Sequence, residues 1–323
     1  MILWMKPPYT INAEILSLVS SISIHLGEIN ALYLHRSSPD LRKQNRIKTI
    51  HSTLQIEGNT LTEEQVGAII DNKRVLAPEK DILEVINAKK VYDAMPSYHP
   101  SSKKSFLSAH ATLMEGLVDH AGSYRKKGVG LVQGNQVAHI APPSQNVPFL
   151  MKDLFNYLKN DKDLVLIKSC VFHYEMEFIH PFMDGNGRMG RLWQSLILSR
   201  SFPVFEFLPF ETLISQNQDQ YYKALSLSDK MGNSTSFIEF MLGVIEVALK
   251  NILNSQNVRL KVDERLDYFK SFGKPKFSRK DYLALFKHIS LPTASRDLIL
   301  GVENGILAKE GDHNQTRYFF VRD

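Results

Sequence analysis

The sequence predicts a mainly α-helical fold, with a β-hairpin in the middle of the chain and a small domain of helices and strands at its end. Three observations support this prediction. Apolar residues recur every three to four positions over most of the 323 residues, as they do in amphipathic helices. Glycine, glutamine and proline interrupt that pattern at 122–147. Short helical and β-prone segments then follow one another after residue 255.

The composition indicates a globular protein of a reducing compartment. Hydrophobic residues make up 43% of the chain and charged residues 23%, as in ordinary globular domains. The single cysteine, Cys170, excludes an internal disulfide framework, and its apolar helical setting predicts a buried, inert thiol. No segment reaches the roughly 18 uninterrupted apolar residues of a membrane span, and the N-terminus lacks a basic lead. We therefore expect a cytoplasmic protein without a membrane partner.

The N-terminal region, residues 1–100, reads as a series of helices. Residues 10–32 carry an amphipathic pattern, and a second helix is predicted from about 40 to 57. Gly58 and Asn59 favour the left-handed conformation that ends a helix. Thr62 then caps the next helix, and Gln65 completes a capping box.

The core region, residues 101–254, predicts helices on either side of a hairpin. The segment GLVQGNQVAHI has β-prone pieces around a Gly-Asn turn, and a proline turn follows it. Long non-helical loops in compact domains are often functional, although a plain surface connector is the alternative. Apolar periodicity resumes at residue 147 and continues to the end of the region.

The C-terminal region, residues 255–323, has the outline of a winged helix. Two short helices are followed by a turn between β-prone flanks. The formal net charge of the whole chain is +5, and this region holds thirteen Lys and Arg against nine Asp and Glu. Such an excess permits contact with nucleic acid but is equally typical of a solvated surface.

The stretch HPFMDGNGRMGR, residues 180–191, concentrates groups that bind an anion. Gly185, Asn186 and Gly187 can bring backbone N–H groups close to a ligand and form a nest. A helix begins at this point, so its positive N-terminus faces the same place. Arg188 and Arg191 lie three residues apart and share one face of the first turn. The pattern predicts a site for a polyphosphate.

Two further residues of the stretch predict chemistry at that site. Asp184 would be awkward alone among cationic groups, but it becomes useful if it holds a Mg²⁺ that bridges the phosphates. His180 is a group that can accept a proton near pH 7. Phe182 is expected to anchor the loop in the core.

This stretch resembles the signature of the Fic family, His-x-Phe-x-Asp/Glu-Gly-Asn-Gly-Arg-x-x-Arg, at every specified position. The resemblance extends over about 105–253. The hairpin is similar to the family's substrate-positioning flap, and DQYYKAL is similar to its downstream tyrosine pair. Fic proteins are mostly helical and typically transfer AMP from ATP to a Ser, Thr or Tyr hydroxyl of a target protein. The resemblance therefore implies a Fic-fold core.

The resemblance also implies a role for each residue. His180 would be the general base and Asp184 the Mg²⁺ ligand, while the ATP phosphates would be bound by Gly185, Asn186, Gly187, Arg188 and Arg191. The target would add a strand to the backbone of the flap residues Gln136, Val137, Ala138, His139 and Ile140. The adenine would lie near Tyr221 and Tyr222. Many relatives carry Asn where this chain has Asp229, which puts some nucleotide contacts in doubt.

A second stretch, STLQIEGN, resembles the Fic inhibitory motif Ser/Thr-x-x-x-Glu-Gly/Asn. Thr53, Glu57 and Gly58 stand in the matching places. In the family this glutamate pairs with the second motif arginine, here Arg191, and blocks the seat of the γ-phosphate. The position upstream of the catalytic motif implies an N-terminal inhibitory helix.

The resulting prediction is a protein adenylyltransferase that uses ATP and Mg²⁺ and is autoinhibited by Glu57. The sequence leaves three possibilities open: removal of AMP from the target, transfer of UMP, phosphate or phosphocholine, and formation of a homodimer. The alternative is a DNA-binding regulator that acts through 255–323, with the core as a nucleotide sensor. Arg296 on the second C-terminal helix favours this alternative, whereas Asp297 and Glu303 would repel DNA phosphates.

Overall fold

The computed structural model describes residues 6–33, 39–133, 136–257, 262–271, 273–286, 289–311 and 316–321. It confirms the mainly helical fold with a central hairpin. The helices are α1 Ala13–Tyr33, α2 Pro39–Gln55, α3 Glu63–Ile70, α4 Glu79–Asp93, α5 Lys103–Leu113, α6 Val147–Asn160, α7 Val165–Ile179, α8 Asn186–Ser199, α9 Phe210–Gln216, α10 Gln218–Met231, α11 Thr235–Asn257, α12 Val262–Ser271, α13 Arg279–Leu285 and α14 Leu291–Glu303. The strands are β1 Gly130–Gln133, β2 Gln136–Ile140, β3 Leu307–Glu310 and β4 Arg317–Phe320.

The chain forms two compact units. One contains Met1–Gly27 and Tyr33–Leu249, and the other contains Glu28–Leu32 and Lys250–Asp323. Most of residues 1–100 therefore group with the core, whereas Glu28–Leu32 group with the C-terminal residues. The division near residue 250 lies close to the predicted start of the C-terminal region. The finer division into 1–100, 101–254 and 255–323 stays a prediction. Among the described residues, no helix combines the length and the apolar character needed to cross a bilayer.

The segment between α2 and α3 follows its sequence signals closely. Thr62 accepts a hydrogen bond from the Gln65 N–H, and the Gln65 side chain accepts one from the Thr62 N–H, so the predicted capping box is confirmed. Helix α2 ends at Gln55, two residues before the predicted end, and Gly58 takes a positive φ of 90°. Glu57 therefore lies on the turn that follows α2, where its carboxylate is clear of the helix end.

An aromatic cluster fixes helices α5, α7 and α8 against one another. The Phe106 ring lies edge-on to the rings of Phe172 and Trp193, with centroids 6.2 and 5.0 Å away, and stacks on Phe182 at 5.3 Å. Phe182 is fully buried, as predicted, so the loop before α8 is anchored in the core. Cys170 is also buried, which raises the pKa of its thiol to about 12 and agrees with the predicted inert thiol.

The central hairpin pairs β1 and β2 antiparallel, from Gly130 opposite Ile140 to Gln133 opposite Gln136, with an irregularity after Leu131. Strand β2 contains all five predicted flap residues and lies beside α10. The tip of the hairpin, 134–135, and the side chains of the flap lie outside the described part of the chain.

The second unit has a small core of its own. Leu266, Phe269, Phe277, Tyr282 and Leu298 are buried together, and Phe277 pairs with Tyr318 of the β3–β4 hairpin. Helix α12, which supplies the first two of these residues, was not predicted. The order of helices and hairpin is compatible with the winged-helix prediction, which this arrangement does not by itself establish.

The interpretation of Asp297 as a charge that repels DNA is wrong. Asp297 is 1% exposed and accepts a bidentate pair of hydrogen bonds from Arg265, at 2.6 and 2.7 Å, with Tyr282 donating to the same carboxylate. The carboxylate is thus neutralised inside the unit and does not reach the surface of α14. Arg296 and Glu303 are exposed.

Candidate active site

The candidate site forms where α7 ends and α8 begins. Asn186 locks this loop through two reciprocal hydrogen bonds, because its Nδ2 donates to the Phe182 carbonyl at 3.0 Å and its Oδ1 accepts from the Phe182 N–H at 2.9 Å. Its side chain is buried. Asn186 therefore shapes the nest with its side chain, and only its backbone N–H is left to face a ligand.

His180 occupies the position immediately after α7. Its backbone is left-handed, with φ 48° and ψ 62°, and its N–H still donates to the Met176 carbonyl. A residue with a Cβ takes this conformation only where the surroundings enforce it. The sharp reversal brings the half-buried imidazole to the same loop that carries Asp184 and the glycines.

The two motif glycines are required by close neighbours. Gly185 has φ 83°, and a Cβ there would lie 2.7 Å from the Met114 sulfur. A Cβ on Gly187 would collide with the Glu57 carboxylate and lie 3.1 Å from Arg191 Nη1. The turn after α2 therefore reaches into the nest at the start of α8, and the absence of a side chain at 187 makes room for it.

Arg188 is held between two carboxylates. Its Nη2 donates to Asp184 at 2.9 Å and its Nη1 to Glu84 of α4 at 3.2 Å. Glu84 is itself buried and accepts a further hydrogen bond from Asn59 at 2.8 Å. Asp184 is different, because its side chain is 51% exposed. Glu84 thus fixes the guanidinium on its buried side, while the Asp184 carboxylate stays accessible to solvent.

Arg191 is fully buried and is bound by the segment that resembles the inhibitory motif. Its Nη2 donates to Glu57 at 2.7 Å and to the Thr53 carbonyl at 3.0 Å, and its Nε donates to the Thr53 hydroxyl at 2.8 Å. Burial opposes the charge on Arg191, but the Glu57 carboxylate outweighs that effect and raises the pKa of Arg191. The guanidinium is therefore charged, and Glu57 is its counter-ion.

Two donors in this nest have no partner. Among the described residues, Arg188 Nε and Arg191 Nη1 are buried and make no hydrogen bond. An unsatisfied buried donor costs roughly 1–3 kcal/mol, and more when the group is charged. Both belong to arginines at the positive end of α8, so an anionic oxygen is the ligand that would satisfy them.

The turn after α2 is supported by α9, a helix that the sequence did not predict. Ser215 Oγ donates to the Gln55 side chain at 2.8 Å, and Ser52 shares a hydrogen bond with Thr212 at 3.0 Å. At the start of α10, Gln218 Nε2 donates to the Ile56 carbonyl at 2.9 Å. These contacts hold the turn that carries Glu57 against the opening of the nest.

The tyrosine pair divides into a buried and an exposed member. The Tyr221 hydroxyl lies 3.1 Å from His173 Nε2, and the other ring nitrogen of His173 lies 2.7 Å from Gln194. Burial lowers the pKa of His173 to about 3, so this imidazole is neutral. Tyr222 is 39% exposed, which leaves its ring as the member of the pair that a nucleotide can reach.

Asp229 accepts a hydrogen bond from the Tyr174 hydroxyl at 2.9 Å. That oxygen of the carboxylate is therefore engaged inside the protein. Many relatives have Asn at this position, and an effect of Asp229 on nucleotide contacts stays a prediction.

Sequence reasoning missed His110 and Arg125, which hold the loop from behind. The Gly122 N–H donates to His110 Nδ1 at 2.8 Å, so Nε2 carries the proton and donates to the Asp184 carbonyl at 3.0 Å. Burial lowers the pKa of His110 to about 4. Arg125 binds the backbone around His180. Neither residue stands in a recognisable motif, and both lie far along the chain from the loop that they bind.

Asp184 is the candidate ligand for a magnesium ion in this site. Among the described residues, no group of three or more His, Cys, Asp or Glu side chains is arranged to hold a metal. Asp184 is a single, half-exposed carboxylate beside the anion nest. Mg²⁺ is commonly bound by one or two carboxylates together with substrate phosphates. The residues therefore fit an ion that arrives with a polyphosphate, and they do not form a separate metal cage.

Comparisons with known proteins agree with this geometry. A model of the Fic/DOC family matches residues 100–198. A crystal structure of a Fic family protein from Desulfovibrio desulfuricans is similar over 99% of both chains, at 40% identity and a TM-score of 0.76. The protein adenylyltransferase fic-1 of Caenorhabditis elegans is 28% identical over an alignment of 258 positions, and the match covers 73% of this chain and 49% of that protein.

A structure of residues 134–508 of Fic-1 from the same organism has a TM-score of 0.64 at 21% identity and covers 76% of this chain and 74% of that one, which supports the fold alone. The chain spans about half the length of the curated relatives it matches.

Proposed function

The chain belongs to the Fic family, and from this premise we propose that it is a protein adenylyltransferase, which transfers AMP from ATP to a hydroxyl side chain of a target protein. One observation carries the proposal. Two buried, unpartnered guanidinium donors, Arg188 Nε and Arg191 Nη1, meet a glycine nest at the N-terminus of α8. This arrangement suits a triphosphate, and the loop that shapes it also carries a histidine.

In the proposed reaction, the target oxygen forms a bond to the α-phosphorus and the bond to pyrophosphate breaks. His180 accepts the proton of the target hydroxyl on its imidazole. Arg188, Arg191 and the N–H groups at the start of α8 bind the phosphates and offset their charge. Mg²⁺, held by Asp184 and the phosphates, would supply further charge neutralisation. The backbone of β2 would receive the target as an added strand.

Glu57 would restrain this activity. Its carboxylate occupies Arg191 Nη2 and lies against Gly187, where the terminal phosphate of a productively bound ATP would have to sit. Glu57 is 26% exposed, so it can leave the pair for solvent more easily than the fully buried Arg191 can. Release of the turn after α2 is therefore the step that would admit the nucleotide.

The test compares Glu57→Ala with Glu64→Ala, a matched change of an exposed glutamate on α3. Each protein is incubated with Mg²⁺ and ATP labelled at either the α- or the γ-phosphate, alone and with cell lysate. We expect protein-bound label from α-labelled ATP in Glu57→Ala, little in Glu64→Ala, and none after Glu57→Ala is combined with His180→Ala.

Label retained from γ-labelled ATP would instead indicate phosphate transfer. An absence of protein-bound label in every variant would contradict the proposed activity. Equal labelling of Glu57→Ala and Glu64→Ala would support AMP transfer but contradict its inhibition by Glu57.

A further inference from the structure

One buried arginine binds three consecutive backbone carbonyls around the histidine of the site. Arg125 Nε donates to the His180 carbonyl at 2.7 Å, its Nη2 to the Ile179 carbonyl at 3.3 Å, and its own backbone N–H to the Pro181 carbonyl at 2.9 Å. Carbonyls at the end of a helix have no partner within the helix. Arg125 supplies that partner on both sides of the left-handed residue, so it fixes the backbone from which the imidazole projects.

The same guanidinium also binds both stems of the flap. Arg125 Nη1 donates to the Lys127 carbonyl at 2.8 Å, on the stem that enters β1, and Nη2 donates to the Pro142 carbonyl at 2.5 Å, on the stem that leaves β2. Ser144 adds a second tie, because its hydroxyl donates to the Lys126 carbonyl at 3.0 Å. The base of the flap and the histidine backbone thus share a single hub.

The buried charge of Arg125 is stabilised by backbone carbonyls, and burial lowers its pKa. Its residue is 4% exposed, and among the described residues no carboxylate lies within ion-pair distance of it. Its acceptors are carbonyl oxygens, and two of them belong to the negative end of α7. A planar guanidinium presents five N–H donors in a fixed fork and can reach acceptors on opposite sides, whereas an ammonium group presents three donors from a single nitrogen. Arginine is therefore specifically suited to this position.

We propose that Arg125 is a positioning residue that holds the His180 imidazole and the flap in one fixed register. A target hydroxyl bound along β2 then lies within reach of the His180 imidazole without a further rearrangement. The inference rests on the proposed roles of His180 as base and of β2 as the strand that receives the target. The described partners of Arg125 side-chain donors lie at 127, 142, 179 and 180, and none is on α8. Arg125 therefore acts on transfer and not on phosphate binding.

The experiment introduces Arg125→Lys into the active Glu57→Ala protein. Arg200→Lys is the matched control, because Arg200 Nη2 also donates to two backbone carbonyls, those of Pro96 and Tyr98. Three quantities are measured on the full chain: kcat for AMP transfer to the lysate protein that the Glu57→Ala protein labels most strongly, the Kd for α,β-methylene-ATP with Mg²⁺, and amide hydrogen exchange.

Arg125→Lys is expected to lower kcat on the order of 10²-fold, the loss that a shift of about 1 Å in a reacting group can cause. The Kd of the nucleotide should stay within about twofold of the parent, since the phosphate-binding residues are untouched. Hydrogen exchange should accelerate together at 126–142 and 179–182, while α8 stays protected. Arg200→Lys should change none of these three quantities at the site.

A kcat for Arg125→Lys equal to that of Arg200→Lys would overturn the proposal, and so would a loss of nucleotide affinity in step with kcat. If Arg125→Lys does not fold, Ser144→Ala replaces it. This variant removes only the tie to Lys126 and should raise the KM for the target several-fold with an unchanged nucleotide Kd; an unchanged KM would overturn the proposal.

Failure of the proposed function gives a different pattern. If the Glu57→Ala parent transfers no AMP, the adenylyltransferase proposal falls. The exchange measurement then still decides whether Arg125 couples the loop to the flap, because it needs no activity. Independent exchange rates for 126–142 and 179–182 would overturn the coupling.

Discussion

The loop before α8 and the turn after α2 meet at Gly187, but the protein holds them in opposite ways. The loop is fixed from the core by the buried Phe182, the reciprocal bonds of Asn186 and the hub of Arg125. The turn has the buried Ile56 beside it, but Glu57 itself is held by its ion pair, and the turn is further held by polar contacts of half-buried side chains. We infer from this comparison that the loop that carries the proposed base is the more rigid of the two and that the turn that carries Glu57 is the one that would move.

The largest expected effect lies on the rigid side. His180→Ala in the Glu57→Ala protein removes the proposed base, and general base action typically supplies ~10²–10⁴ in rate. AMP transfer should fall by that factor, with the Kd for α,β-methylene-ATP essentially unchanged. Radiolabel transfer and calorimetric titration of the same preparation measure both. A parallel loss of nucleotide binding would show that His180 is part of the binding site instead.

Asn186→Ala tests how strongly the loop depends on the two hydrogen bonds between Asn186 and the Phe182 backbone. The change leaves the buried N–H and carbonyl of Phe182 without partners, each at a cost of roughly 1–3 kcal/mol. We expect the free energy of unfolding to fall by about 2–5 kcal/mol in urea denaturation. Asn160→Ala, at an exposed position, serves as the control and should stay within about 0.5 kcal/mol of the parent. Equal stability of the two variants would mean that the loop is held elsewhere.

These two regions also differ in how far the sequence predicts them. The residues of the nest are contiguous from 180 to 191, so the helix end, the turn and the next helix follow from local signals. The buried Phe182 and the Thr62 capping box were predicted on the same basis and are confirmed. The partners that hold the nest could not be predicted, because they are distant in the chain: Glu84 lies 104 residues from Arg188, and His110 lies 74 residues from Asp184.

Helix α9 was another failure of sequence reasoning. Helix α9 has seven residues, too few for a periodic apolar pattern to stand out. It nevertheless carries Glu211, Thr212 and Ser215, which contact α2. The flap residues Gln136–Ile140 were predicted as a strand, and their backbone forms one, while the roles given to them and to the tyrosine pair stay predictions.

Glu211 links the two regions through a buried carboxyl group, which Thr49 of α2 and Ser195 of α8 both contact. Burial raises its pKa from 4.5 to about 7. The folded protein therefore keeps a proton that the unfolded chain has released between about pH 4.5 and 7, so stability falls as the pH rises through this window. The size of the loss is about 3 kcal/mol, at ~1.4 kcal/mol per pH unit.

Glu211→Gln should abolish that part of the pH dependence. The measurement is urea denaturation of both proteins at several values between pH 5 and 8. The difference between their unfolding free energies should change in favour of the variant as the pH rises. A difference that is constant with pH would show that Glu211 is ionised in the fold.

The smallest expected effect concerns the turn that carries Glu57. Gln218→Ala removes the hydrogen bond to the Ile56 carbonyl, worth about 1 kcal/mol, together with a longer contact to the Tyr222 hydroxyl at 3.4 Å. The first loss should loosen the turn that carries Glu57. Basal AMP transfer should rise about fivefold, at ~1.4 kcal/mol per decade. Gln220→Ala, on an exposed position of the same helix, should leave the rate as it is. A lower rate in Gln218→Ala would indicate that the turn supports the active arrangement.

The central claim is that a triphosphate takes the place of Glu57 at the start of α8. The most direct measurement is a crystal structure of the Glu57→Ala protein with α,β-methylene-ATP and Mg²⁺. The account predicts phosphate oxygens within hydrogen-bond distance of Arg188 Nε and Arg191 Nη1, with the α-phosphate beside the His180 imidazole. A nucleotide bound elsewhere, or a nest filled by side chains that leave these two donors unpartnered, would contradict it.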